Sequence, residues 1–332
     1  MRFLTAVLML VLASSPSHAD STRLLKFDGA AIESPYWFKE SFLEFGDDLA
    51  EAAESDKTLM LYFHQAGCPY CFNMIQQNFL DAQLAPFIQQ KFDVVALDLW
   101  GDRDVVLPDG TELTEKALAT HWKIQYTPTL IFLNPDGSIN LRIDGYRPKP
   151  VFSQVLDYVL NGKTEGGLAQ ALIQQSDEDM YPEPFLLETR DLSSLKGQLT
   201  AVMLEYKGCD DCESLHRNAI ARPAVYEQLE PYQVVRFDAA SDQPFILPDG
   251  TNTTPSQWVK ELGVNYYPTT VLFDESGTER FRVGGYVQSF HYATALEYVS
   301  AKGYEQFPEF QRFLNDRADR MREKGKKVVI TE

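Results

Sequence analysis

The chain has 332 residues, with 30 Lys and Arg against 48 Asp and Glu, a formal net charge of −18 and a sequence pI near 4.7. At roughly 100 to 200 residues per domain this length holds about two domains. Such acidity repels phosphate backbones and anionic lipid, so nucleic acid and peripheral membrane surfaces are excluded as partners.

The chain opens with Arg2, an apolar run from Phe3 to Ala13, and Ser17-His18-Ala19. A charged start, an apolar stretch and a small-x-small site predict a secretory leader over residues 1–19, cleaved before Asp20. The run falls short of the ~20 apolar residues that span a bilayer. The expected location is periplasmic.

Aromatic and aliphatic residues at Phe42, Phe45, Leu49 and Ala52 are spaced at three and four, which predicts an amphipathic helix within 20–57. A strand follows over 58–63, then a helix over 69–80 with Pro69 in its first turn. A second helix is expected at 82–90 and a buried strand at 92–99. Leu107-Pro108-Asp109-Gly110 is a turn by composition. A helix over 113–122, strands at 129–133 and 139–146 around Asn134-Pro135-Asp136-Gly137, and a helix from about 150 to 160 complete this unit. Residues 161–184 are polar and rich in Gly, Gln, Ser, Asp and Pro; they predict a connection with a short helix at 167–175. The plan then repeats, with strands at 200–206, 233–238, 269–273 and 279–286 and helices from 210, at 255–262 and at 288–301. A last charged amphipathic helix, 308–324, is expected to be a solvated docking element, its end favoured by Arg322, Lys324, Lys326 and Lys327.

The repetition is a duplication. Val94-Val95 and Val234-Val235, Asp98 and Asp238, Leu107 to Thr111 and Leu247 to Thr251, Pro128-Thr129 and Pro268-Thr269, and Gly145-Tyr146 and Gly285-Tyr286 are all offset by 140. The cysteines are offset by 141, so one residue was gained or lost after them. A period this long is a repeated domain rather than a solenoid unit.

All four cysteines lie in two short motifs, Cys68-Pro69-Tyr70-Cys71 and Cys209-Asp210-Asp211-Cys212. Exported proteins commonly staple distant positions with disulfides, yet bridges across two-residue gaps remove little chain entropy. Reactivity explains these thiols better than scaffolding. Each pair opens a helix, where unpaired N–H groups and the helix dipole lower a thiol's pKa, and a second thiol one turn on can resolve a mixed disulfide. Zinc ribbons bring two such pairs within ~15–20 residues, whereas 137 residues separate these. Phe72 and Glu213 stand where haem attachment needs His. His216 could join Cys209 and Cys212 around a soft metal, or cover the helix surface.

A Cys-x-x-Cys after a buried strand, and a proline before a closing hairpin and helix, resembles the thioredoxin superfamily over most of both halves. The extra Leu-Pro-Asp-Gly turn and helix before the proline are similar to exported members, including those of bacterial sulfur-oxidation clusters. The resemblance implies an α/β fold of two tandem thioredoxin-like domains, each a central mixed sheet flanked by helices. The expected division is a leader at 1–19, a first domain at 20–162, a linker at 163–184, and a second domain at 185–332 that includes the last helix. It implies Cys68 and Cys209 as attacking nucleophiles and Cys71 and Cys212 as resolving thiols. Pro128 and Pro268 would be cis, with Thr127 and Tyr267 turned toward an extended substrate chain. No cofactor or metal is called for. The implied function is reduction or isomerisation of disulfides in protein clients, with electrons from a membrane electron transporter of the thiol pathway. The alternative class is a thiol-based copper or protein chaperone without turnover.

The two motifs differ chemically. Pro69-Tyr70 adds no charge, and the same tetrapeptide occurs in glutaredoxins. Asp210-Asp211 would raise thiolate energy and favour the disulfide, making the second pair the stronger reductant and a donor to the first; Asp at a helix start is equally good capping. Departures from the family also stand out. Its buried Asp, six residues before the first cysteine, is replaced by Tyr62 and Met203, with Glu205 as a substitute or an exposed residue. Its Trp before the motif is replaced by Ala66-Gly67 and Lys207-Gly208. Asp98 and Asp238 would either shape the groove or end their strands in solvent. His64 and His121 have no counterpart in the other half.

Overall fold

The computed structural model describes residues 25, 27, 33–162, 167–173 and 176–329. The expected leader, 1–19, lies outside these residues. No helix among the described residues is long and apolar enough to cross a membrane.

In the first half, α1 (Phe45–Glu54) and β1 (Thr58–His64) precede α2 (Pro69–Met74), which continues as a π-helical turn, Ile75–Phe79. Then come α3 (Leu84–Lys91), β2 (Phe92–Asp98), β3 (Asp104–Val106), β4 (Glu112–Thr114), α4 (Glu115–His121), β5 (Thr129–Leu133), β6 (Ile139–Asp144) and α5 (Lys149–Asn161). After α6 (Gly167–Leu172) and a 3-10 turn at Leu192–Leu195, the second half repeats the order: β7 (Leu199–Glu205), α7 (Asp210–Ser214) with its π-helical continuation Leu215–Ile220, α8 (Pro223–Leu229), β8 (Tyr232–Asp238), β9 (Phe245–Ile246), β10 (Asn252–Thr253), α9 (Pro255–Glu261), β11 (Thr269–Phe273), β12 (Glu279–Gly284) and α10 (Ser289–Ser300). The chain closes with α11 (Gly303–Gln306) and α12 (Phe310–Glu323).

Two mixed sheets result, ordered β2-β1-β5-β6 and β8-β7-β11-β12. In each, one parallel pair (Met60 beside Val94, Val202 beside Val235) meets antiparallel strands (Met60 opposite Phe132, Val202 opposite Val271). Side chains alternate across a strand, so β1 sends Met60 and Tyr62 into one core layer under α2, α3 and α5, and Leu59, Leu61 and Phe63 into another under α1 and α4. Strand β7 divides Ala201 and Met203 from Val202 and Leu204 in the same way. Burial on both faces explains why these strands read as continuous apolar runs.

The sequence reading missed the β3-β4 hairpin and its smaller equivalent β9-β10, because strands of two or three residues are too short to show a period. It also misjudged the last helix. Phe310, Phe313, Leu314 and Ala318 of α12 are buried in the second core, and Arg317 is buried against Glu297 at 2.6 Å. The helix is part of the fold rather than a solvated appendage. Its i, i+3, i+4 apolar stripe was legible but lay among nine charged or polar neighbours.

Candidate active sites

Each Cys-x-x-Cys opens its helix as expected. Cys68 is the N-cap of α2, and its Sγ accepts the Cys71 N–H at 3.0 Å; Cys209 caps α7 and accepts the Cys212 N–H at 3.1 Å. Both pairs are joined as disulfides. Gly67 and Gly208, at φ of +71° and +73°, turn the chain from strand end into helix.

The Thr127–Pro128 and Tyr267–Pro268 peptide bonds are cis. In the first site, Cys68 Sγ lies 3.5 Å from the Thr127 carbonyl oxygen and accepts the Thr127 hydroxyl at 3.4 Å. In the second, Tyr267 is buried edge-on to Tyr206 at 5.2 Å. In the first half, cysteine and proline segment thus come together from positions 59 residues apart in sequence.

Beneath the first pair, buried Tyr62 donates its hydroxyl to the Cys71 carbonyl at 3.2 Å. Burial raises its pKa, so the phenol keeps its proton. His64, at the end of β1, stacks on Tyr62 at 5.5 Å. Burial lowers its pKa, against the raising influence of Asp98 and Glu115.

The second pair has a polar underside. Glu205 ends β7, and His216, four residues after Cys212, lies in the π-helical continuation of α7; both are buried. His216 Nε2 bonds Glu205 at 2.8 Å and Nδ1 bonds Glu183 at 2.9 Å, while Tyr181 stacks on the imidazole at 5.3 Å. Arg236 stands 3.5 Å from the other Glu205 oxygen. Burial works against the imidazolium, but the bonds and charges of Glu205 and Glu183 outweigh it and hold the His216 pKa above its ordinary value. This corrects both surface readings: Glu205 is not exposed, and His216 does not cover the helix. With both ring nitrogens engaged, His216 offers no lone pair to a metal beside the cysteines. Among the described residues no group of three or more His, Cys, Asp or Glu is arranged to hold a metal ion.

The two Asp residues of the second motif are unlike each other. Asp210 is exposed; Asp211 is half-buried, accepts the Tyr266 hydroxyl, and sits near Arg147, whose guanidinium stacks 4.2 Å over the Tyr266 ring. Burial raises the Asp211 pKa, countered by Tyr266 and Arg147. Neither side chain caps α7; Cys209 does. Asp98 and Asp238 instead accept the N–H of Trp100 and of Ala240, both at 3.0 Å, and so turn the chain at the strand ends without lining the cavities beside the cysteines.

The domains dock through equivalent parts. Tyr126, just before the first proline segment, donates its hydroxyl to the Arg282 carbonyl on β12 at 2.9 Å. Asn265, before the second, donates to the Arg142 carbonyl on β6, and these arginines are themselves equivalent at the offset of 140. Arg147 Nη2 reaches Asn265 Oδ1 at 3.4 Å. Tyr70, between the first two cysteines, accepts the Gln288 N–H at 3.3 Å and meets His291 edge-on at 5.0 Å. Burial pushes the His291 pKa down to about 4, so it is neutral there.

Paired sheets of this order, each with a bonded Cys-x-x-Cys at a helix start beside a proline loop, define a tandem thioredoxin-like protein. The thioredoxin-like domain family matches residues 45–160 and 189–300, more than half of the chain, and the chain belongs to it. A search of curated proteins found no match. Among solved structures it is similar to a thioredoxin-fold protein from Helicobacter pylori (13% identity, 41% of this chain and 92% of that one, TM-score 0.37). It is also similar to a thioredoxin from Thermus thermophilus (27%, 35% and 83%, TM-score 0.28) and to the reduced C-terminal domain of DsbD from Neisseria meningitidis (14%, 32% and 86%, TM-score 0.25).

Proposed function

We propose that the chain is an exported, periplasmic thiol–disulfide oxidoreductase that reduces or isomerises disulfides of protein clients. The observation that carries this is the position of each leading sulfur, held at a helix tip where it accepts the backbone N–H of its partner cysteine. The same amide stabilises the thiolate once the bond is reduced. Cys68 or Cys209 attacks one sulfur of a client disulfide, forming a mixed disulfide as the client S–S bond breaks and the leaving thiolate takes a proton. Cys71 or Cys212 then attacks the enzyme sulfur and releases the second client thiol, so two electrons pass to the client and the enzyme disulfide closes. Thr127 lies against the Cys68 sulfur on the side where a substrate would lie, and Tyr267 with Pro268 holds the equivalent sequence position in the second domain. A membrane electron transporter of the thiol pathway restores the dithiols, and the two pairs exchange electrons with each other.

Coupled insulin reduction by the full chain, compared with Cys68→Ser and Cys209→Ser, tests the reading. Turnover that falls in either variant supports exchange. Stoichiometric copper binding with no turnover in the unmodified protein would replace this reading with a thiol-based chaperone.

A further inference from the structure

Protein clients are proposed above for the chain as a whole; at Cys68 the packing of the second domain bears on what can enter. Helix α12 lies across the first domain's site. Gln65, three residues before Cys68, donates to Gln311 at 2.9 Å; Gln125, three residues before Pro128, accepts the Phe310 N–H at 2.8 Å and, through its carbonyl, the Gln311 amide at 3.1 Å. Arg312 stacks over Trp100 at 4.8 Å, and Tyr126 packs on Phe281 and Phe310. Both walls of the groove beside Cys68, the strand end and the proline loop, are therefore held by the same helix.

What remains beside Cys68 is a cavity of about 140 Å³ between the domains, walled by Cys68, Tyr70, Thr127, Arg147, Asp211 and Leu314 among others. Sites for drug-sized molecules run to roughly 300–1,000 Å³, and an extended polypeptide adding itself to the Thr127 backbone needs an open edge several residues long. Cys209 does not open into this cavity. It lines a separate cleft with Glu178, Asp179, Met180 and Tyr181.

We propose that the Cys68–Cys71 pair exchanges with low-molecular-weight disulfides admitted to the interdomain cavity, and that α12 keeps polypeptides out. The Cys68 thiolate attacks one sulfur of the small disulfide, whose S–S bond breaks and whose first thiolate leaves with a proton. Cys71 then displaces the second thiolate from Cys68, forming the bond seen in the structure. The dithiol supplies both electrons. This rests on thiol exchange at Cys68, and the experiment separates the two claims.

The full chain carrying Cys209→Ser and Cys212→Ser is reduced with dithiothreitol, desalted and mixed in single turnover with hydroxyethyl disulfide or with insulin. Remaining thiols are read by acid quench, alkylation and mass. The preference for hydroxyethyl disulfide over insulin is expected to exceed that of free dithiothreitol by at least thirtyfold; a smaller excess overturns the proposal. Gln125→Ala with Arg312→Ala, which removes two α12 contacts and leaves its apolar stripe in place, is expected to raise the insulin rate severalfold while the small-disulfide rate holds. An unchanged insulin rate, or an equal rise in both, removes α12 from the explanation. If neither substrate oxidises the dithiol, the exchange reading at Cys68 itself fails.

Discussion

Replacing His216 by Leu removes the one group that bridges Glu205 and Glu183, and the consequence can be worked from the geometry. The imidazole is fully buried and Glu205 is 1% exposed, so the lost partner is not replaced by water. Arg236, at 3.5 Å, is the cation left to Glu205. Breaking a buried charged pair costs about 3–5 kcal/mol; because Arg236 stays and the Glu183 side chain is 12% exposed, the lower end applies, about 3 kcal/mol. Since 1.4 kcal/mol is about tenfold, the amides of β7 should exchange with deuterium roughly 100-fold faster in the variant, read by mass spectrometry on the peptide that carries β7. The effect has a pH signature. A His whose folded pKa is raised stabilises fully below its unfolded value, about 6.5, and loses that contribution as pH rises through the folded pKa. The gap between wild type and His216→Leu should therefore be widest below about pH 6.5 and narrow above it. A change in β7 exchange under fivefold, or a gap independent of pH, would refute a charged His216 held between two carboxylates.

Two other outcomes follow from the same contacts. Asp211→Asn removes a negative charge from between Cys209 and Cys212, and a unit charge at neighbouring-residue range contributes on the order of 1–2 kcal/mol at an effective dielectric near 20. The exchange equilibrium of that pair with a glutathione buffer should move about tenfold toward the dithiol, and no movement would mean that Arg147 and Tyr266 already neutralise the carboxylate. Phe310→Ala should cost the second domain about 3–5 kcal/mol in urea unfolding, as for a fully buried aromatic; a loss under 1 kcal/mol would return α12 to the role of a surface helix.

The sequence by itself determined the duplication, the order of the main helices and strands, and the placing of four cysteines at two helix starts. These are local properties: periodicity, turn composition and the spacing of like residues survive without knowledge of what lies opposite. Tertiary structure alone decided the rest. His216 sits between Glu205, 11 residues away, and Glu183, 33 residues away in the segment that reads only as a connection, so no period in its own helix could announce its burial. Asp210 and Asp211 look equivalent in sequence, yet only Asp211 meets Tyr266, 55 residues on. The cover over Cys68 joins positions 246 residues apart, Gln65 and Gln311. Whether a thiol at a helix tip meets solvent, a small cavity or another domain depends on how the two duplicated units face each other, and that is set by side chains that come together only when both have folded.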